Sequence, residues 1–378
     1  MTNPDHTPMR RQSYRFVMDG PPGPLTVING KEMLYFGGVG YYQLHNHPDV
    51  IEAACEATRK YGLSSATSRA YTGMTPLHDV VEAKVAEFFG TEDAVYLPSG
   101  YLCNIVGMQA LRDMGRIDAI YIDELAHYCN NDGALTTGLP VYRFANNDPE
   151  SLRQQISKTL GPKQKPLIAT DGMFAVYGYM SNIPEFLAVA EEFDGCVWID
   201  DAHPSGIIGP NGRGTYEYYG LQSPRLFFGS TLSKAFGGFG GIVPGTAEFT
   251  GFVRKTGAMT GSTQPPAAAA AASLAGLELV MGNPQFRQKL HENARYLKAR
   301  LNGIGLEVPQ NEFPMTAFSL TTREETIRVH ECLLARGIFV QLSHYVGAGK
   351  DGVLRIVVFS THTKEQIDLL VQNISEVL

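Results

Sequence analysis

The sequence predicts an α/β fold: a large unit with a mainly parallel central sheet, followed by a smaller α+β unit at the C-terminal end. Three observations predict it. Short apolar runs alternate with helix-like stretches between about residues 78 and 228. The runs are apolar throughout rather than every second residue, as expected of strands covered on both faces. After Pro265-Pro266 the alternation gives way to two long helical patterns, the mark of a second layer of structure.

Taken in order, the residues before about Tyr35 are rich in Pro, Gly and polar side chains, including Gly20-Pro21-Pro22-Gly23-Pro24. They read as an extended arm, 1–45, rather than a packed unit. His47-Pro48 marks a helix start. Apolar positions at helical spacing run from His78 to Phe89, with Pro76 ahead and Gly90 behind. Strand-like runs follow at 94–97, 117–122, 141–144, 167–170, 197–199 and 226–228, with helical patterns such as 151–160 and 185–193 between them. This stretch, 46–264, is the expected large unit. In the smaller unit, 265–378, residues 267–280 and 284–301 read as helices, 316–320 and 354–358 as strands, and 363 onward as a closing helix.

With 378 residues, the length suits two or three structural units. Apolar residues at 44% and charged residues at 18% are those of a globular chain. The formal net charge of −7 argues against a basic nucleic-acid-binding surface or a polybasic membrane patch. The five cysteines are scattered and form no C-x-x-C pair, which suits a reducing cytoplasm and neither disulfides nor a zinc knuckle. Arg10-Arg11, followed by Gln12-Ser13, does not read as a twin-arginine signal. The Ala-rich stretch 267–281 carries Glu278 and falls short of a membrane span. A cytoplasmic protein with no membrane or nucleic-acid partner is expected.

In open parallel sheets, functional groups collect where strands end. The strand 196–199 runs into Asp200-Asp201-Ala202-His203-Pro204-Ser205-Gly206. The strand 226–228 runs into Gly229-Ser230-Thr231-Leu232-Ser233-Lys234, followed by Gly237-Gly238-Phe239-Gly240-Gly241. Alone, Lys234 reads as a surface charge and Asp200-Asp201 as a helix cap. Together, on neighbouring strand ends, they suit a cofactor needing a covalent amine, a carboxylate for a ring nitrogen, and hydroxyls for a phosphate. Pyridoxal phosphate (PLP) has those needs. A metal is not expected, because His45-x-His47 has no third ligand near it in sequence.

These blocks resemble the α-oxoamine synthases, a group of fold-type I PLP-dependent transferases within the aminotransferase class I/II superfamily. The resemblance runs from about Lys31 to the C-terminus. It includes Asn46-His47-Pro48, Ser68-Arg69 with Gly73 and His78, Pro98-Ser99-Gly100-Tyr101 with Asn104, His127, Asp200-Asp201-Ala202-His203, Gly212-Arg213-Gly214, Thr231-Leu232-Ser233-Lys234 and Thr361-His362-Thr363. It implies that Lys234 binds the cofactor covalently and shuttles the proton. Asp200 would pair with the ring nitrogen, His203 would lie near the phenolic oxygen, and His127 would stack on the ring. Gly100, Tyr101 and Thr231 would hold the phosphate end, with Ser262 and Thr263 reaching the neighbour's phosphate site in a homodimer. Arg355 would bind the amino-acid carboxylate with its planar fork. By residue pattern alone, His127 would read as a core histidine, and Arg355 needs a structural carboxylate or a substrate to neutralise it.

The implied activity is condensation of an amino acid with an acyl thioester, with loss of carbon dioxide, to an α-aminoketone; the alternative is an aminotransferase. Catalysis would rest on Lys234, Asp200, His203 and His127. Four stretches depart from the family pattern. Gly40 replaces an asparagine that helps bind the carboxylate. Phe174-Ala175-Val176-Tyr177-Gly178 replaces Phe-Ser-Met-Asp-Gly, and His127-Tyr128-Cys129-Asn130 replaces His-Ala-Ser-Ile. The proline-rich loop is absent from 346–352. These changes spare the cofactor machinery and point to a specialised substrate.

Overall fold

Asn29 and Gly30 both take left-handed backbone (φ 50° and 75°), the geometry that folds two strands into a tight hairpin. β1 (Leu25–Ile28) and β2 (Lys31–Tyr35) pair antiparallel across this turn. The computed structural model describes residues 15–378; Arg10-Arg11 and the first part of the expected arm, 1–14, lie outside the described residues. From residue 25 the expectation of an unpacked arm is corrected. β2 is buried at Met33, Leu34 and Tyr35, and Leu34 and Phe36 belong to a hydrophobic cluster otherwise built from residues beyond 290.

α1 (Pro48–Tyr61) is capped by the His47 side chain, which accepts the Asp49 N–H. α2 (Pro76–Phe89) starts on a Thr75–His78 capping box and ends at left-handed Gly90. The large sheet then builds in strand–helix order through β3 (Asp93–Leu97), α3 (Gly100–Asp113), β4 (Ala119–Asp123), α4 (Tyr128–Thr136), β5 (Val141–Phe144), α5 (Pro149–Thr159) and β6 (Pro166–Asp171). A small hairpin, β7 (Met173–Phe174) and β8 (Tyr179–Met180), precedes α6 (Ile183–Glu192), β9 (Cys196–Asp200), the one-turn α7 (Thr215–Tyr218) and β10 (Leu226–Thr231). β11 (Gly241–Gly245), α8 (Ala247–Lys255) and α9 (Gly257–Gly261) follow.

The large sheet has the order β3-β11-β10-β9-β6-β4-β5. Every pair from β10 to β5 is parallel, whereas β11 runs antiparallel to both of its neighbours. The sheet is therefore mixed and mostly parallel, with an α/β architecture. β11 carries no strand signal of its own: it has glycine at both ends and Pro244 inside. α3 packs tightly against the sheet where a Cβ on Gly107 would lie 2.0 Å from the Trp198 ring.

Beyond Pro265-Pro266 come α10 (Ala267–Gly282), α11 (Gln285–Gly303), β12 (Met315–Phe318), α12 (Arg323–Ala335), β13 (Ile338–Phe339), β14 (Gln341–Ser343), β15 (Val353–Val357) and α13 (Lys364–Val377). β12, β15 and β14 form an antiparallel sheet, while β13 pairs in parallel with β2. Among the described residues, no helix is long and apolar enough to cross a membrane.

Candidate active site

β4, β6 and β9 are adjacent parallel strands, and each ends in an aspartate: Asp123, Asp171 and Asp200. β10 ends in Thr231, with Lys234 in the turn beyond. A cavity of about 300 Å³ opens at these strand ends. Gly100, Tyr101, His127, Asp200, His203, Thr231 and Lys234 all line it, so seven of the residues singled out by sequence converge on one space. Three do not line it. Ser262 donates its hydroxyl to the Ala258 carbonyl (2.6 Å), Thr263 bridges to Ser68, and Arg355 lies behind the Ala175 backbone.

Asp200 is held from two sides. Oδ2 accepts from the Asn104 amide (2.9 Å) and the Cys129 thiol (3.0 Å), and Oδ1 accepts the Ala202 N–H (3.1 Å). Asn104 is itself oriented by Trp198, whose indole N–H donates to Asn104 Oδ1 at 2.6 Å. Asp171, opposite Asp200 in the strand register, accepts the His127 backbone N–H (3.0 Å) and the Asn130 amide (2.9 Å). Burial, and after it the Asp200 charge, push the Asp171 carboxyl well above its ordinary range. Asp171 escaped the sequence reading, although its strand-end position is the signal that picked out Asp200.

The basic groups are shifted the other way. Burial lowers the Lys234 ammonium pKa against the opposing pull of Asp200 and Asp171, which favours the neutral amine. His203 is held well below its usual value, first by burial and then by the Lys234 and Arg355 charges. Its Nδ1 lies 2.6 Å from the Tyr41 hydroxyl. Burial raises the Tyr41 pKa, so the phenol keeps its proton in this contact. His127 caps α4, its Nδ1 accepting the Cys129 N–H (3.1 Å), and burial lowers its pKa too.

The Ser99 hydroxyl caps α3 through the Tyr101 N–H. A Cβ on Gly100 would meet the Thr231 side chain at 2.9 Å, so only glycine keeps this turn open beside the strand end. Gly100 and Tyr101 line the cavity at this helix start, where backbone N–H groups favour an anion. Thr231 departs from expectation in one respect: its hydroxyl already donates to the Gly240 carbonyl at 2.7 Å. Ser233, part of the hydroxyl-bearing block before Lys234 but given no role of its own from sequence, also lines the cavity.

Arg355 is 6% exposed and makes no ion pair among the described residues. Nε donates to the Ala175 carbonyl (2.7 Å), and Nη1 makes long contacts to the Gly38 carbonyl (3.5 Å) and Gln341 (3.4 Å); Nη2 is left over. At Gly40 the place of the family's asparagine is filled, because a Cβ there would lie 2.6 Å from the His45 ring. His45 faces the Pro22 carbonyl and His47 caps α1, so the two histidines are engaged separately.

An amine biased toward neutrality, a strand-end carboxylate and a helix start kept open by Gly100 fit PLP. Fold and site together define a PLP-dependent transferase of fold type I. The model for the aminotransferase class I and II family matches residues 36–374, and the chain belongs to that family. Within it, the chain is 32% identical over 363 residues to an 8-amino-7-oxononanoate synthase of Alkaliphilus oremlandii, covering 96% of this chain and 91% of the relative. It is 32% identical over 355 residues to a serine palmitoyltransferase of Sphingobacterium spiritivorum, covering 93% and 88%. Among solved structures, a serine palmitoyltransferase of Sphingomonas wittichii superposes with a TM-score of 0.90 at 25% identity, over 97% of this chain and 92% of the other. Another, solved with PLP, does so with a TM-score of 0.90 at 26% identity, over 96% and 92%.

Proposed function

We propose that the protein joins an amino acid to an acyl thioester, with loss of carbon dioxide, to form an α-aminoketone. The observation that carries this reading is the apolar and aromatic part of the cavity lining, Phe174, Val176, Tyr177, Tyr345 and Val346. This apolar and aromatic face suits an acyl chain. The names of the two relatives, one for an oxononanoate and one for palmitoyl transfer to serine, support the same chemistry.

PLP, when bound, supplies an electron sink for negative charge at the amino-acid Cα. Lys234 Nζ holds the cofactor covalently at rest and takes the Cα proton as its base. Asp200, its Oδ2 fixed by Asn104 and Cys129, faces the ring nitrogen and favours its protonated form. His127 packs on the ring face. His203, held neutral by burial, exchanges a hydrogen bond with an oxygen at the reacting centre. The backbone N–H groups at Gly100 and Tyr101 receive the phosphate. The Arg355 guanidinium receives the amino-acid carboxylate, which supplies the missing counter-charge. Ser262 and Thr263, which do not line their own cavity, serve the second site of a homodimer, and light scattering at assay concentration should show two chains per particle.

The functional test is to incubate holoenzyme with amino acids and acyl thioesters and follow free thiol and carbon dioxide. Release that needs both substrates is expected. Amino-group transfer to 2-oxo acids without thiol release would replace this reading with transamination. Arg355→Lys should weaken amino-acid binding by about 1.5–3 kcal/mol and leave donor binding nearly unchanged, because an ammonium cannot reproduce the planar fork. Titration of cofactor absorbance with glycine, alanine and serine measures it; equal affinities in both proteins would place the carboxylate elsewhere.

A further inference from the structure

Cys129, in the first turn of α4, sits where three groups of the cofactor site meet. Its Sγ is 3.0 Å from Asp200 Oδ2, 2.6 Å from His127 Nδ1 and 3.1 Å from the Asn104 side-chain nitrogen. Among the described residues, His127, Cys129 and Asp200 are the only group of three His, Cys, Asp or Glu side chains whose ligand atoms converge, all within 4.8 Å of one another. The thiol is 1% exposed. Burial and the adjacent Asp200 carboxylate disfavour the thiolate strongly, so the sulfur carries its hydrogen at neutral pH. A protonated, buried thiol is a poor nucleophile and a poor metal ligand. What it offers here is one S–H hydrogen.

That hydrogen is directed at the Asp200 carboxylate, while the sulfur also touches the His127 ring. His127 Nδ1 already accepts the Cys129 backbone N–H at 3.1 Å, and Asp200 Oδ2 already accepts the Asn104 amide at 2.9 Å. Each is thus anchored once by another group, and the thiol spans the gap between them. The turn that carries it is itself anchored, because Asp171 takes both the His127 N–H and the Asn130 amide. We propose that Cys129 is a positioning residue: its S–H donates to the Asp200 carboxylate proposed to meet the ring nitrogen, while its sulfur packs against the His127 imidazole and so sets the spacing of the two. The related enzymes' motif has serine at this place.

This inference rests on the placement of Asp200 and His127 against the cofactor proposed above, and its test separates the two. PLP affinity, by fluorescence quenching, and the absorption maximum of the bound cofactor are measured for the wild type, Cys129→Ala, Cys129→Ser, Asp200→Asn and Cys129→Ala/Asp200→Asn. The alanine variant should bind PLP about tenfold more weakly with a displaced absorption band, and serine, which keeps a donor, should restore most of both. In the Asp200→Asn background, removal of the thiol should add little, because the two act as one unit. If Cys129→Ala matches the wild type while Asp200→Asn is impaired, the role of Cys129 is overturned. If serine is as poor as alanine, side-chain volume rather than the S–H is responsible, and the inference also fails. If Asp200→Asn matches the wild type in both readouts, the placement of the ring itself is wrong. Should the alanine variant not fold, the comparison of serine with wild type, with and without Asp200→Asn, still decides, because a donor shared with Asp200 predicts coupling between the two changes.

Discussion

Replacing Lys234 by alanine should lower turnover by on the order of 10³-fold or more, since it removes the proposed covalent tether and the proposed base at once. The expectation follows from where the amine sits. It lies in the turn after β10, inside the cavity, and burial outweighs the attraction of Asp200 and Asp171 to lower its pKa. A larger share of the side chain is therefore neutral at physiological pH than for a surface lysine, and only the neutral amine can attack a carbonyl or accept a proton. Borohydride treatment of the wild-type holoenzyme should fix the cofactor to this residue, and peptide mapping should find the label there. The alanine variant should still bind PLP, through Asp200, His127 and the α3 start, but without a covalent link. Small primary amines added to it should restore part of the activity. A label on another lysine would end the assignment, and so would an alanine variant that turns over normally.

The parts of this site that are legible in sequence are those whose residues are consecutive. Asp200 to His203 and Thr231 to Lys234 each sit on one strand end, so a local run of types reveals them. The parts that were not legible depend on contacts across the chain. Tyr41 meets His203 across 162 residues, and Cys129 meets Asp200 across 71; no local pattern reports either contact. The parallel strands were visible because burial on both faces makes them continuously apolar, whereas β11 is bounded by glycines and holds a proline. The hairpin from 25 to 35 carried a usable signal in Asn29-Gly30, but the proline-rich stretch ahead of it dominated the reading. α4 was hidden for a physical reason: its turns mix Tyr128, Asn130, Asn131 and Asp132 with no apolar stripe, because tertiary contacts to Asp171 rather than amphipathicity hold its first turn.

Asp200 and Asp201 are adjacent, yet their substitutions should separate cleanly into chemistry and stability. Asp200→Asn removes the negative charge proposed to meet the ring nitrogen and turns an acceptor toward a thiol and an amide into a mixed donor-acceptor group. Turnover should fall by about 10²- to 10³-fold, with the melting temperature nearly unchanged. Asp201 faces the opposite way and is 1% exposed. Its carboxyl takes the Thr215 N–H and hydroxyl and the Ser205 hydroxyl at 2.5–3.2 Å, tying the start of α7 to the end of β9. Burial nevertheless pushes its pKa from 3.8 up to about 7, with those hydrogen bonds pulling the other way. The sign of the consequence follows from proton binding. Between about pH 4 and 7 the folded chain holds a proton on Asp201 that the unfolded chain has lost, so stability declines as pH rises through that window, at most about 1.4 kcal/mol per pH unit, and levels off above it. Asp201→Asn cannot titrate. The wild type should therefore lose more melting temperature between pH 5 and pH 7.5 than this variant does, while the variant keeps turnover per folded molecule within a few-fold. Melting curves at the two pH values, together with turnover at neutral pH, measure both halves. If Asp201→Asn abolishes turnover with an unchanged melting curve while Asp200→Asn stays active, the carboxylate at the ring nitrogen is Asp201, and the strand-end register is wrong by one residue.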